Sequence, residues 1–199
     1  MAEIDRPSCK IVLLGNSGVG KTSLVNRWMT NSFNPNGKPT IGANHQRKSV
    51  KIQNQDVDLF IWDTAGQEQF QALTPLYARE AASAFITVSI TDIDSFKSLD
   101  TWIDLLKSSC AVIPPMLLAV NKIDLIDQAV YTHEEIENQF GDTFSGIFYV
   151  SASTGEGVAQ AFMHAAQTGY EHLCQTTRTT TTTTQKIDGS SSSTKEGCC

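Results

Sequence analysis

Short apolar runs, each bounded by polar, Gly or Pro residues, recur between residues 10 and 151 of the chain. Runs of this length and composition predict β-strands. The six predicted strands are Lys10–Leu14, His45–Ile52, Val57–Trp62, Ala84–Ser89, Met116–Asn121 and Ile147–Ser151. A polar turn at 54–56 joins the second strand to the third, which indicates a hairpin. The later strands are apolar throughout, as expected for a sheet that is buried on both faces.

Segments with helical periodicity separate most of these strands. Ser23–Met29 is amphipathic, and apolar residues recur at helical spacing over Ser95–Lys107. Thr132 and Glu135 predict a capping box, and a last helix is expected to begin near Gly157. This alternation predicts an α/β fold in which helices cover both faces of a mostly parallel six-stranded sheet. Such folds bind ligands at the carboxyl ends of their strands.

The composition divides the chain into three parts. Residues 1–8 are predicted to form a flexible N-terminus, and residues 9–174 to form one folded unit. From residue 175 to 199 apolar residues nearly vanish, and unbroken runs of Thr (179–184) and Ser (190–193) appear. Too little apolar surface is present there to offset the entropy lost on ordering, so a disordered tail is predicted.

Length and charge limit the classes of function. The 199 residues suit a single domain, and the net charge of −6 argues against a nucleic-acid-binding surface. The first ten residues are polar and of mixed charge, so no secretory signal is predicted. No apolar run reaches the ~18 residues that a membrane span needs. The scattered cysteines Cys9, Cys110 and Cys174 have no metal-ligand spacing, which indicates reduced intracellular thiols.

The segment Gly15–Thr22 reads G-N-S-G-V-G-K-T and lies between a predicted strand and a predicted helix. It fits the phosphate-binding loop pattern in the one context where that pattern works. Its glycines let successive N–H groups point inward, and the helix N-terminus adds partial positive charge. Lys21 is expected beside the β- and γ-phosphates, and the Thr22 hydroxyl on Mg²⁺.

Two further motifs indicate which base is bound. Asn121–Asp124 reads N-K-I-D and follows the fifth strand, and Ser151–Ser153 follows the sixth. The Asp124 carboxylate can accept from the ring N–H and the amine of guanine, whereas adenine offers no donor at that ring nitrogen. A site of this kind rejects the wrong base by roughly 10⁴ to 10⁵. Asn121 is expected to tie the loops together, and the methylenes of Lys122 to cover one face of the ring.

Another pair of segments indicates a switch. Asp63 ends an apolar strand, where a carboxylate needs a partner such as Mg²⁺ held through water. Gly66 leaves room for its N–H to meet a γ-phosphate, and Gln67 can orient the attacking water. Thr40 adds a hydroxyl to Mg²⁺ only when that phosphate is present. The order of the Thr40 loop and of the Gly66 loop then depends on one phosphate group.

Together these motifs resemble the Ras-like small GTPases and, within them, the Rab family, over about residues 9–174. The stretches T-I-G-A and L-T-P-L-Y are most similar to the endosomal Rab branch. The resemblance implies a P-loop NTPase small G domain that binds GTP or GDP with Mg²⁺. The resemblance also implies that the protein hydrolyses GTP by in-line attack of water, and that hydrolysis is slow unless an activating protein assists. This predicts a switch for vesicle traffic.

The resemblance also assigns residues. Catalysis falls on Lys21 and Gln67, and metal binding on Thr22, Thr40 and Asp63. Phe33 matches the aromatic residue that packs edge-on against guanine. The full set implied in nucleotide binding is Ser17, Gly18, Val19, Gly20, Lys21, Thr22, Ser23, Phe33, Thr40, Gly66, Asn121, Lys122, Asp124, Ser151, Ala152 and Ser153.

Cys198 and Cys199 are similar to the Rab signal for double geranylgeranylation. One lipid gives marginal membrane binding and two give stable anchoring, and the tail is too weakly basic to act as a second signal. The resemblance implies a monomer on the cytoplasmic face of endomembranes, with a cytosolic pool and no nucleic-acid partner. The implied partners are an exchange factor, an activating protein, a GDP-dissociation inhibitor, Rab escort protein, prenyltransferase and effectors.

The expected effector patch contains Ile41, His45, Trp62 and Tyr77, and here the chain departs from the family. Asn44 and His45 stand where Rab proteins usually carry an acidic or small residue and then an aromatic one. Two interpretations stay open for His45. It is either a tolerated polar replacement or the source of an altered, pH-sensitive effector set.

Other departures concern the nucleotide and the exchange factor. Ser153 replaces a Lys that packs near the base, which predicts lower affinity, and Gln69 and Gln71 replace common arginines. Two rival functions remain: a nucleotide-loaded scaffold with negligible hydrolysis, and an ATP-using P-loop enzyme. The segment Asn121–Asp124 argues against the ATP-using enzyme.

Overall fold

The strand that carries the phosphate loop lies inside the sheet, with neighbours on both sides. The computed structural model describes residues 6–66 and 72–187, and in this part six strands form one sheet in the order β2-β3-β1-β4-β5-β6. Only the β2–β3 pair is antiparallel among them, which confirms the predicted mostly parallel sheet. The strands are β1 (Ser8–Leu14), β2 (Ala43–Ile52), β3 (Gln55–Thr64), β4 (Ser83–Ser89), β5 (Met116–Asn121) and β6 (Gly146–Tyr149).

Helices cover both faces of this sheet, as predicted. Alternate residues of β1 show how the two layers arise: Ile11 and Leu13 face α1 and α6, whereas Val12 and Leu14 face α4. Each such buried side chain contributes about 1.5–3 kcal/mol. The helices are α1 (Lys21–Thr30), α2 (Thr74–Ala78), α3 (Ile93–Lys97), α4 (Leu99–Ser109), α5 (His133–Phe140) and α6 (Val158–Ile187), with a 3₁₀ helix at Ile123–Gln128.

The single helix predicted over 95–107 is two helices in the structure, and Ser98 lies between them. Asp92 caps α3 through a bond from the Asp94 N–H to its Oδ1 (3.0 Å). The Ser98 hydroxyl then donates to Asn16 Oδ1 in the phosphate loop (2.8 Å). Helical periodicity does not reveal this contact between the helix boundary and a distant loop.

The C-terminal helix is longer than the sequence pattern predicts. Helix α6 continues to Ile187, beyond the boundary at residue 174, and residues 188–199 lie outside the described part. The hydroxyls of Thr176 and Thr177 donate to the carbonyls of His172 (3.1 Å) and Leu173 (2.9 Å), one turn back. Extending an existing helix needs no new nucleus, so the helix can continue into a segment that is poor in apolar residues.

The N-terminal boundary also differs from the prediction. The main chain of Asp58 donates to the Pro7 carbonyl (2.9 Å), and Ser8 is the first residue of β1. The sheet therefore begins inside the segment predicted to be flexible, because main-chain pairing does not require an apolar side chain. Residues 1–5 lie outside the described part.

Candidate functional site

The loops that follow β1, β3, β5 and β6 surround one cleft of about 710 Å³. This is the size of a typical small-ligand site. Val19, Asp63 and Ser151 lie behind its wall, at most 2% exposed, and Gln67 lies outside the described residues. The other predicted nucleotide-binding residues line it: Ser17, Gly18, Gly20, Lys21, Thr22, Ser23, Phe33, Thr40, Gly66, Asn121, Lys122, Asp124, Ala152 and Ser153.

The phosphate loop is shaped by a glycine at the start of α1. Gly20 has φ 98°, in the left-handed region, and a Cβ there would overlap the Asn121 side-chain amide. The helix begins at Lys21 with no side-chain cap on its first N–H groups. These donors and the helix dipole point into the cleft, which suits an anion such as a phosphate.

Lys21 carries its charge almost out of contact with water. It is 5% exposed, and its Nζ donates to the carbonyls of Gly15 (2.7 Å) and Asn16 (2.9 Å) at the start of the loop. Burial lowers the pKa of Lys21 to about 8, and the charge of Asp63 opposes that shift. An anionic ligand in the cleft would stabilise the charged form of this lysine.

Three oxygen-bearing side chains converge beside Lys21. The Thr22 and Thr40 hydroxyls lie 2.6 Å apart, and the carboxylate of Asp63 is 2% exposed. Burial raises the pKa of Asp63, while the Thr22 hydroxyl and the Lys21 ammonium lower it. Asp63 Oδ1 has no hydrogen-bond partner in the described part of the chain. A buried, unpartnered carboxylate oxygen beside two hydroxyls fits Mg²⁺, which prefers hard oxygen ligands and keeps several waters.

The Gly66 loop lies directly against the phosphate loop. A Cβ at Gly66 would overlap the main chain of Asn16 and Ser17, so only glycine fits at this approach. The Ala65 N–H donates to the Gly42 carbonyl (2.7 Å), which links the Gly66 loop to the Thr40 loop. Both loops therefore meet at the end of the cleft where Lys21 lies.

At the other end, the Asn121 side chain joins the phosphate loop to the loop after β6. Asn121 is 1% exposed. Its Nδ2 donates to the Val19 carbonyl (2.8 Å), and its Oδ1 accepts from the Ala152 N–H (3.1 Å). The predicted role of Asn121 in tying the loops together thus has a direct geometric basis. Lys122, the next residue, is in the left-handed region (φ 68°) and lines the cleft.

A serine hydroxyl orients the Asp124 carboxylate. The Ser151 hydroxyl donates to Asp124 Oδ1 (2.5 Å) and accepts from the Thr154 N–H (3.0 Å). Asp124 itself is exposed at the cleft. The Ser151 hydroxyl thus fixes the direction of a carboxylate that lines the cleft.

Comparison with known proteins gives the family. The Ras family profile matches residues 10–171. Rab-22A of Homo sapiens is 38% identical over 159 residues, which cover 79% of this chain and 81% of the relative. Rab-21 of Geodia cydonium is 38% identical over 158 residues, which cover 79% of this chain and 69% of the relative.

This chain belongs to the Rab family of Ras-like small GTPases. The family and the fold predicted from the sequence are confirmed. As a member of this family the Rab binds GTP or GDP with Mg²⁺ and hydrolyses GTP. Membership of a family of GTPases argues against the ATP-using alternative.

The side chains of the predicted effector patch lie on the outer face of this Rab. His45 is 5.4 Å from Trp62 between ring centroids, and Trp62 is 5.7 Å from Tyr77. Phe60 extends the row, 5.8 Å from His45, and was not predicted. Ile41 is 82% exposed near the start of β2.

Asn16 is a site residue that sequence reasoning missed. Its Oδ1 accepts from the Ser98 hydroxyl (2.8 Å) and from the Trp102 indole N–H (2.9 Å), so it fixes the phosphate loop on α4. Asn16 occupies a position at which the phosphate-loop pattern accepts any residue. The available signal was Trp102, because a tryptophan in the middle of a helix needs an acceptor for its N–H when it is buried.

The stretch between α1 and β2 was only partly assigned. Its additional cleft-lining residues are Asn34, Pro35, Gly37, Lys38 and Pro39. They have no helical or strand periodicity. In this part of the cleft the sequence analysis assigned Thr40 to Mg²⁺, and the resemblance added Phe33.

We predict that GDP binding takes up protons at about pH 8.5. With the pKa of Lys21 near 8, most nucleotide-free molecules carry a neutral Lys21 at that pH. The bound diphosphate stabilises the ammonium and raises its pKa, so the lysine takes a proton from the buffer. Calorimetry of GDP binding with Mg²⁺, in buffers of different ionisation enthalpy, should give different binding enthalpies.

This proton uptake should shrink at about pH 7, where most Lys21 is already charged before GDP arrives and the phosphates of GDP are still largely ionised. Equal enthalpies in all buffers at the higher pH would contradict the assignment of Lys21 to the phosphates.

Proposed function

We propose that this Rab cycles between GDP- and GTP-bound states and thereby regulates membrane traffic. The observation that carries the proposal is the meeting of the Thr40 and Gly66 loops at one end of the phosphate loop. Thr40 reaches the Thr22 hydroxyl (2.6 Å), and Ala65 bonds to Gly42 (2.7 Å). A third phosphoryl group at that point would contact both loops, so its loss would alter both.

The proposed hydrolysis step is in-line attack of water on the γ-phosphorus. Lys21 presents a fixed ammonium, because the carbonyls of Gly15 and Asn16 hold it in place. Thr22, Thr40 and Asp63 would hold Mg²⁺, which neutralises charge on the β- and γ-phosphates when bound.

Two further groups complete the proposed machinery. The main-chain N–H of Gly66 is assigned to a γ-phosphate oxygen, and Gln67 to orientation of the attacking water. No arginine lines the cleft within residues 6–66 and 72–187. Turnover should therefore be slow alone, and an activating protein could accelerate it by roughly 10³ to 10⁵.

Thr40→Ala should separate the two nucleotide states. We expect GTP affinity and single-turnover hydrolysis to fall roughly tenfold or more, because a hydroxyl ligand near the γ-phosphate is lost. GDP affinity should change little. Thr30→Ala, an exposed threonine in α1, is the matched control.

Nucleotide affinities and release of labelled phosphate from loaded protein measure both effects. An equal loss of GTP and GDP affinity would contradict the switch proposal. If the unaltered Rab releases no phosphate over hours, with or without an activating protein, it acts as a nucleotide-loaded scaffold.

We further infer that Cys198 and Cys199 receive two geranylgeranyl groups. Rab escort protein and prenyltransferase would attach them, and a GDP-dissociation inhibitor would extract the Rab into a cytosolic pool. The Rab family signal supports this proposal, and the resemblance of T-I-G-A and L-T-P-L-Y supports an endosomal membrane. Both cysteines lie outside the described residues.

Within the described stretches, no helix combines the length and the apolar character of a bilayer span.

Replacing both terminal cysteines should release the Rab from membranes. We expect Cys198→Ser with Cys199→Ser to be wholly cytosolic, and each single variant to bind partially, because one lipid gives only marginal anchoring. Cys174→Ser, on α6, is the control. Fractionation and imaging of tagged protein measure the effect and identify the organelle. A double variant that stays on the same membranes would exclude the lipid proposal.

The effector patch supports a modified partner set. His45 presents an imidazole beside Trp62, and Lys10 Nζ lies 4.9 Å from the Trp62 ring centroid. A cationic imidazolium there would be a second positive charge beside Trp62. We propose that effectors of this Rab distinguish the two charge states of His45.

His45→Phe should remove the pH dependence of effector binding. We expect the affinities of GTP-loaded Rab for candidate effector domains to change between about pH 5.5 and 7.5, and those of the variant to stay constant. His133→Phe, next to Tyr149 and away from the patch, is the control. Unchanged affinities for every partner at both pH values would identify His45 as a tolerated replacement.

A further inference from the structure

Helix α1 contacts both ends of the cleft. Its first turn carries Lys21 and Thr22, and later in the helix Arg27 reaches the loop after β6. Arg27 Nε donates to the Ala152 carbonyl (2.9 Å), and Nη2 donates to the Ser153 carbonyl (2.6 Å). One guanidinium therefore binds two successive main-chain carbonyls of the guanine loop, residues 151–155.

The opposite side of the guanidinium is also held. Arg27 Nη1 donates to the carbonyl (2.9 Å) and the Oδ1 (3.1 Å) of Asn31. Asn31 is in the left-handed region (φ 53°), and its N–H returns to the Arg27 carbonyl to close α1. The half-buried arginine is thus fixed by the end of its own helix, and its fork is aimed at the guanine loop.

Side-chain bonds hold the main chain of Ala152 at both its N–H and its carbonyl. Asn121 Oδ1 accepts from its N–H (3.1 Å), while Arg27 donates to its carbonyl. The preceding residue, Ser151, orients the Asp124 carboxylate (2.5 Å). A shift of the loop away from α1 would therefore move the group that selects the base.

Helix α1 also sets the distance between Lys21 and Arg27. At about 1.5 Å of rise per residue, the stretch from Lys21 to Arg27 spans ~9 Å. A rigid helix thus fixes the distance between the phosphate contacts and the base contacts of one bound nucleotide. The bond through Asn121 connects the same two ends by another route.

We propose that Arg27 is a positioning residue that sets the residence time of the nucleotide and the selectivity for guanine. The proposal rests on guanine-nucleotide binding by this Rab. Arginine suits the role because its planar fork donates in several fixed directions, whereas lysine offers one point charge on a flexible stem. Arg27 acts through the guanine loop, and its contacts in the structure are with protein oxygens.

The test compares Arg27→Lys and Arg27→Gln with the unaltered Rab. The matched control is Arg79→Gln, since Arg79 pairs with the neighbouring Glu80 where both side chains are mostly exposed. Dissociation rates of labelled GDP and of its inosine analogue, which lacks the exocyclic amine, are measured with Mg²⁺. Single-turnover hydrolysis of GTP-loaded protein is measured alongside.

We expect Arg27→Gln to accelerate GDP dissociation roughly 10- to 100-fold, because charged donors to two carbonyls are lost. The preference for GDP over inosine diphosphate should narrow, because Asp124 is less well oriented. Arg27→Lys should restore part of both properties. Hydrolysis of nucleotide that is already loaded should change less than twofold, since no phosphate contact is altered.

Ser151→Ala provides a second arm if Arg27→Gln folds poorly. This variant removes the hydrogen bond that orients Asp124, so it should narrow the preference for GDP over inosine diphosphate. Its effect should not add to that of Arg27→Lys.

GDP dissociation within twofold of the unaltered protein in both Arg27 variants would overturn the proposal. So would equal acceleration for GDP and inosine diphosphate, which indicates general loosening of the fold. Failure of the unaltered Rab to retain GDP would instead overturn nucleotide binding itself.

Discussion

One buried amide, that of Asn121, connects the loops on which the nucleotide site depends. These loops follow different strands and share no ladder of main-chain hydrogen bonds. The amide donates to the phosphate loop at Val19 and accepts from the guanine loop at Ala152. A buried polar group left without a partner costs about 1–3 kcal/mol, so the amide and the two loops fix each other. Residue 20 must be a glycine for this arrangement to form, because a side chain there would displace the Asn121 amide.

The phosphate end of the cleft depends on buried charge. Burial shifts the pKa of Lys21 downward and that of Asp63 upward, so both groups are displaced toward their neutral forms. Their mutual attraction opposes this, but Asp63 Oδ1 remains without a hydrogen-bond partner in the described chain. Two buried ions are costly unless further groups satisfy them. A ligand that brings phosphate to the lysine and Mg²⁺ to the carboxylate supplies those groups, so nucleotide binding stabilises the fold.

Residues close together in sequence account for what could be predicted. The phosphate loop, the six strands and the capping box of Thr132 and Glu135 depend on neighbours within a few positions, and the structure shows each of them. The contacts of Asn16 and Arg27 were missed for the opposite reason. Each pairs with groups on a segment far along the chain, and a hydrophobic pattern shows which face is buried but not which carbonyl a donor will meet. The extension of α6 was missed because composition was weighed without the low cost of continuing a helix.

The free energies of the hydrogen bonds explain why the Thr40 loop suits a switch. Residues 31–39 are all exposed, so apolar burial contributes little to the position of the loop. Arg27 holds the first residue of this stretch, Asn31. In the described chain, two hydrogen bonds hold its far end: Thr40 to Thr22 and Ala65 to Gly42. At about 0.5–1.5 kcal/mol each, they supply together only ~1–3 kcal/mol. Reversing a two-state population from 1:99 to 99:1 takes about 5.5 kcal/mol, which charge-assisted contacts to one phosphoryl group and its Mg²⁺ can provide. A loop anchored more deeply would not respond to the loss of that group.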